Sequence, residues 1–247
     1  MKIIHIIFPL LLLLVSCGDE DPLGPGSYTV GDFTVVVGPD SLEVRRGADG
    51  TLLMRSDATL GSSTDGKEPP GLAGWRTATV DIKTAYGMSI FDETAPAWQA
   101  ATSLQVLSAE SGKLSLGAGE GTITLSTHAK GVLAVTVAPG KAGANRAIQS
   151  FACGANDKFY GMGAMVHGTQ HRGEIIPTWT SEQGIGKVRR KFLSDQFPLK
   201  GDIHDSYFPI PFMMHSAGFG VLVRNSQRGL FNFCHKDNAN RWALETW

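Results

Sequence analysis

Apolar and polar residues alternate over short runs along most of this chain, and the period is that of strands. Phe33-Thr34-Val35-Val36-Val37 is rich in β-branched residues and Leu42-Glu43-Val44-Arg45-Arg46 alternates. Gly47-Ala48-Asp49-Gly50 then supplies turn residues before Thr51-Leu52-Leu53-Met54-Arg55, which predicts a hairpin. Further strands are expected at Thr77–Lys83, Leu104–Leu107, Lys113–Leu116, Thr122–Thr127 and Val132–Val137, punctuated by Gly112, Gly117, Gly119, Gly121 and Gly131. Phe219–Ser226 and Leu230–Phe233 read as a last hairpin, with surface loops at Gly61–Gly71 and Pro139–Ala144. No window of helical length holds a 3.6-residue apolar period, so helix is expected to be minor, a turn or two near Ala95–Ala101 at most. Many short, evenly separated strands predict an all-β, antiparallel sandwich or barrel.

The first residues follow another logic. Lys2 precedes an apolar run, Ile3–Val15, that is shorter than the roughly 20 residues a membrane-spanning helix needs, so it reads as an export signal. Leu14-Val15-Ser16-Cys17 resembles the lipobox of bacterial lipoproteins. That resemblance implies cleavage after residue 16, a lipid on Cys17 and a place in a bacterial envelope, at the periplasmic face or the cell surface; a plain secretory signal with an incidental cysteine is the other reading. Residues 17–31, with Gly18-Asp19-Glu20-Asp21-Pro22 and Gly24-Pro25-Gly26, are polar and turn-rich and are expected to form a flexible tether. Their acidic run resembles a surface-export signal and equally reads as a solvated charge run. Residues 32–247 form the folded domain, enough chain for one sizeable core or two small ones.

Charge and cysteine content narrow the classes further. Cleavage would remove Lys2 and no acid from a total of 22 basic and 23 acidic side chains, so nothing recruits nucleic acid. Cys153 and Cys234 could pair in an oxidising compartment, but each lies beside apolar residues, and buried free thiols are the expectation.

The most informative stretch is Lys158–Lys187. It holds Phe159-Tyr160-Gly161-Met162-Gly163, then Arg172-Gly173, then Trp179-Thr180-Ser181-Glu182-Gln183-Gly184. In this order the motifs resemble the N-terminal domain of glycoside hydrolase family 31, and the last run is most similar to its sulfoquinovosidase-type members. The resemblance runs from about Phe33 to Trp247, with specific motifs only after Phe159. It implies a galactose mutarotase-like supersandwich of two antiparallel sheets, and a parent enzyme that cleaves α-glycosides with retention. It also implies that the catalytic carboxylates belong to a (β/α)8 barrel following this domain, so the sequence is expected to stop where that barrel begins.

Retaining glycosidases need two carboxyl groups about 5–5.5 Å apart. Glu174, Glu182, Asp195, Asp202 and Asp205 are available, but spacing alone brings no pair together, and none is assigned to catalysis. Taken as residues alone, Trp179 is first a core side chain and Glu182 a solvated loop acid. The match from Thr180 to Gly184 reverses that order: Trp179 becomes a flat platform for a pyranose, and Glu182, with Gln183, binds sugar hydroxyls at the rim of the barrel. Arg172 is expected to brace this loop or to reach a carboxylate, with bracing favoured. Ala164 stands where family members commonly carry an acid or amide, which removes a polar contact.

His167 and His171, with Glu174, have a spacing that could ligate a metal on a helix, but the segment is glycine-rich, and the rings are not expected to meet. No metal, nucleotide loop or cofactor is indicated, and no Gly-x-Ser-x-Gly elbow is present. The expected partners are therefore a carbohydrate, the membrane through Cys17, and the barrel. The alternative is a non-catalytic, membrane-tethered carbohydrate-binding or structural sandwich, expected if the reading frame holds no barrel.

Overall fold

The computed structural model describes residues 23–60, 71–85, 88–181 and 204–247, so the leader, Cys17, Glu182, Gln183, Asp195 and Asp202 lie outside the described residues. The chain forms β1 (Gly26–Val30), β2 (Phe33–Val37), β3 (Ser41–Arg46), β4 (Leu52–Asp57), β5 (Ala73–Arg76), β6 (Thr79–Ala85), β7 (Met88–Thr94), β8 (Gln99–Ala101) and β9 (Leu104–Glu110). It continues with β10 (Lys113–Ala118), β11 (Gly121–Ala129), β12 (Val132–Ala138), β13 (Arg146–Ala152), β14 (Phe159–Gly163) and β15 (Ile175–Pro177). The last strands are β16 (Pro209–His215), β17 (Phe219–Leu222), β18 (Gly229–Phe233) and β19 (Arg241–Thr246). Every strand pair is antiparallel, and no α-helix occurs among the described residues.

Two cores result. The meanders β1-β2-β3-β4 and β12-β11-β10-β9 turn their alternate apolar residues toward each other: Val35, Val37, Leu42 and Val44 meet Leu114, Leu116, Ile123 and Leu125, with Trp75 filling the end. The second core lies between the six-stranded sheet β15-β18-β19-β13-β5-β8 and the three-stranded sheet β14-β16-β17. It is aromatic: Trp242 stacks on Phe151 at 4.2 Å, and Phe159 packs 4.9 Å from Phe233. Such rings bury more apolar area per residue than any aliphatic side chain, which suits a core closed by short strands.

Four expectations need correction. The tether ends earlier than residue 31, because Ser27-Tyr28-Thr29-Val30 alternates and pairs with β2, burying Val30. The segment near Ala95–Ala101 is not helical; Pro96 precedes a buried Trp98, over which Arg76 stacks at 4.1 Å, and Gln99–Ala101 pairs with β5. Phe219–Leu222 and Leu230–Phe233 do not form one hairpin. β17 pairs with β16, whereas β18 lies between β15 and β19 in the larger sheet, because Phe231 and Phe233 face the aromatic core with Trp242.

The fourth correction concerns the cysteines, which form a disulfide with Cα atoms 6.2 Å apart. Cys153 directly follows β13 and Cys234 follows β18, and both strands pair with β19, at Ala152↔Arg241 and Phe233↔Trp242. The two thiols therefore meet across the start of a strand that comes later than either, a proximity no local sequence signal announces.

Candidate functional site

The glycine-punctuated strand β14 sets the site's framework. Gly161 and Gly163 have φ of 106° and 88°, and a Cβ on Gly161 would lie 2.6 Å from the Phe212 carbonyl oxygen, while one on Gly163 would overlap that of Phe208. Backbone this close to β16 admits no side chain. The bend lets the chain after Gly163 run back over β16: Ala164 N donates to Phe208 O (3.0 Å), and Ser206 Oγ donates to Ala164 O (3.0 Å).

The segment bearing Trp179 is fastened at both sides. Thr178 N donates to Gly229 O at 2.9 Å, and Gly229 N donates back to Thr178 Oγ1 at 2.9 Å. On the other side Ser181 N donates to Ser206 O at 3.0 Å. Trp179 itself is 38% exposed, so it is neither a core residue nor a free one. Its ring and that of Phe91 meet edge to face at 5.3 Å, and Phe91 in turn meets Trp247 at 5.4 Å.

Beneath these rings lies a charged cluster that the sequence did not announce. Arg228 stacks over Phe91 (4.7 Å) and Trp247 (4.6 Å), and Arg146 stacks on Trp247 from 3.7 Å. Glu93 bridges Arg76 (2.9 Å) and Arg146 (3.2 Å), and Arg76 also reaches Glu245 at 3.4 Å. Burial lowers the Arg228 pKa and raises that of Glu245, where Arg76 opposes the shift. Cations desolvated against aromatic faces hold those rings more firmly than exposed ones do. The members come from β5, β7, β13, β19 and the stretch before β18, too scattered for any motif to reveal.

Beside Trp179 opens a cleft of about 360 Å³, bounded by Thr178, Thr180, Pro209, Pro211 and the polar turn Asn225-Ser226-Gln227. The turn is readable in the sequence only as a connection between strands. Its position next to Trp179 is set by β18 pairing with β15.

Arg172 is turned inward. Its Nη1 donates to the Gly154 (2.8 Å) and Asp157 (3.2 Å) carbonyls and lies 3.0 Å from Cys153 Sγ, bracing the turn that carries the disulfide. The histidines depart from expectation, because their rings do meet. His167 lies 5.7 Å from His171 and 4.6 Å from His204, whose Nε2 is 3.1 Å from Glu174 Oε2. The segment 164–174 folds back on β14 through a bridge between Tyr160 and Gln170, which achieves without a helix what helical spacing would have done. Among the described residues no three His, Cys, Asp or Glu side chains are arranged to hold a metal ion. His171 is fully buried with Nε2 3.1 Å from Gly161 O, and burial lowers its pKa, helped by His167 and His204. Burial likewise lowers the pKa of His215, which stacks on Phe219 at 4.7 Å, while Asp157 opposes that shift. Of the candidate carboxylates only Glu174 and Asp205 lie among the described residues, and Glu174 is engaged by His204.

The arrangement therefore offers an aromatic face together with amides and hydroxyls in a cleft. Comparison with known proteins agrees with this architecture. The sulfoquinovosidase of Escherichia coli (strain K12) is 28% identical over 116 residues, which is 45% of this chain and 17% of that protein. A GH31 family sulfoquinovosidase from E. rectale, solved in complex with the aza-sugar inhibitor IFGSQ, shares the fold with a TM-score of 0.68 at 15% identity, over 86% of this chain and 30% of that one. This chain thus spans under a third of either relative. The family model for the glycosyl hydrolase 31 N-terminal galactose mutarotase-like domain matches residues 35–232, and to that family the chain belongs.

Proposed function

We propose that this chain is the substrate-pocket-completing N-terminal domain of a lipid-anchored, retaining α-glycosidase of the bacterial cell envelope. Its first substrate class is α-sulfoquinovosides, with α-glucosides or α-xylosides second. In this reading the nucleophile and acid reside in a following barrel, and no carboxylate of this chain cleaves the bond. Glu182 and Gln183 bind sugar hydroxyls, and Cys17 holds the lipid.

The observation that carries the reading is the mount of Trp179. A tryptophan 38% exposed, held by Phe91 and fastened through Thr178 and Ser181, stands three residues before Glu182. The stretch from Trp179 to Ser181 is thus held in place, and fixed positioning is what a group that meets substrate requires. Two other features support it. The outer face of β14-β16-β17 exposes Ile210, Phe212, Met214 and Leu222, a contiguous apolar surface of the kind that a neighbouring domain covers. The disulfide accords with an oxidising, exported environment.

The test is the kinetics of the full-length enzyme. A hydrogen bond involving a charged group is worth about 1.5–3 kcal/mol, so Glu182→Ala is expected to lower kcat/KM roughly ten- to a hundredfold on an aryl α-sulfoquinovoside. Wild-type kinetics in Glu182→Ala and Glu182→Gln, with unfolding midpoints intact, would return Glu182 to the class of solvated loop acids.

A further inference from the structure

We propose that the cleft beside Trp179 binds a neutral saccharide unit, gripped by Asn225 and Gln227 against the indole. Resting on the function proposed above, this assigns the cleft to the uncharged portion of an α-glycoside, the sugar or polyol on the leaving-group side.

The chemistry of the walls selects the ligand. A volume of about 360 Å³ falls within the ~300–1,000 Å³ range of small-ligand sites. Trp179 and two prolines, Pro209 and Pro211, provide apolar surface, while the turn supplies two amides and the Ser226 hydroxyl. Each amide carries both donors and an acceptor, which matches sugar hydroxyls that need both at once. An indole face suits the C–H side of a pyranose.

Other ligand classes fit less well. Among the described residues none of those bounding the cleft is charged, so an anion such as a sulfonate or phosphate finds no counter-charge among them. Of the two arginines flanking the turn, Arg228 is turned under the rings of Phe91 and Trp247, and Arg224, exposed beside Asn225, does not bound the cleft. A purely apolar ligand would strip water from the amides of Asn225 and Gln227 without replacing it.

The cleft is also preorganised. Trp179 is set by its edge-to-face contact with Phe91, the Thr178–Gly229 pair of hydrogen bonds fixes the two walls relative to each other, and prolines limit the third. Little ordering remains to be done when a ligand arrives, which favours affinity in a shallow site.

The experiment titrates the full chain with maltotriose, and with methyl α-sulfoquinovoside as the charged comparison, following tryptophan fluorescence and isothermal heats. Maltotriose is expected to bind saturably, with an affinity that does not change with salt. A neutral hydrogen bond is worth about 0.5–1.5 kcal/mol, so Asn225→Ala and Gln227→Ala are each expected to weaken binding about three- to tenfold. Trp179→Ala should weaken it more. Asn225 and Gln227 are exposed, so both variants are expected to keep the wild-type unfolding midpoint. Absence of maltotriose binding, binding unmoved by both amide variants, or sulfoquinovoside binding that both amide variants weaken more than they weaken maltotriose binding would each overturn the assignment. The outcome is separable from that of the Glu182 kinetics. Failed binding alongside reduced Glu182→Ala activity sinks the cleft alone, and normal binding alongside unchanged Glu182→Ala kinetics sinks the parent reading of Glu182 alone.

Discussion

Breaking the Cys153–Cys234 bond should markedly destabilise this domain. The bond closes a loop with a sequence separation of 81 residues, between the ends of β13 and β18 on either side of β19. Its Cα separation of 6.2 Å is within the ordinary range for bridged cysteines, so forming it asks no backbone movement. Loop-closure entropy for a loop of this length amounts to about 4 kcal/mol, with measured disulfides more often giving about 2–4. Arg172 donates to the Gly154 and Asp157 carbonyls through bonds that need no sulfur, so the turn is expected to survive reduction and the effect to belong mainly to the unfolded chain. For a domain of this size each kcal/mol shifts the midpoint by about 2–4 °C, so a fall of about 5–15 °C is expected. The assay is thermal unfolding followed by circular dichroism, oxidised against fully reduced, beside the Cys153→Ala/Cys234→Ala double variant. Reduced wild type and double variant should coincide and both should lie well below the oxidised protein. A midpoint that moves by less than about 2 °C, with bond formation and reduction verified by mass, would refute the claim that this crosslink restrains the unfolded state.

Acid should weaken the second core. His171 and His215 both have lowered pKa values, so each contributes stability that is complete above the unfolded value of about 6.5 and is lost as the pH falls from there toward the folded value. The free energy of unfolding is expected to drop as the pH falls below about 6.5, and His215→Phe should flatten that drop; a flat wild-type profile below about pH 6.5 would contradict the burial argument. Changing Cys17 to Ala is expected to abolish metabolic labelling of the full-length protein with a fatty acid, and equal labelling of the two proteins would remove the lipid anchor from the proposal.

The first core was readable in the sequence because its strands are local. β2, β3, β4 and β9–β12 are hairpin neighbours whose alternation shows which side is buried, as Val35 and Val37 or Leu114 and Leu116 do. The second core was not. β13, β5 and β19 come together from distant parts of the chain, and Gly229–Phe233 looked like a partner for Phe219–Leu222 until the burial of Phe231 and Phe233 placed it in the other sheet. The same non-local assembly hid the disulfide and the meeting of His204 with His167. At the site, Trp179 stood out by its motif, whereas Phe91, Arg228 and Trp247, which hold it, lie far from it along the chain and share no spacing with it. Non-local pairing, with no signature shorter than the fold itself, separates what was read from what was missed.

The motif Phe159-Tyr160-Gly161-Met162-Gly163 contains no group that could act on a substrate through its glycines; what they provide is an absence of bulk where β14 crosses the carbonyls of Phe212 and Phe208. The signature by which such domains are recognised is thus a mark of clearance between two strands. A chain that had lost all catalytic ability, or had never possessed it, would need those glycines as much as an active enzyme does. Screening genomes by this motif will therefore gather a shape, with working and silent members side by side, and sorting them falls to residues whose presence the shape does not require.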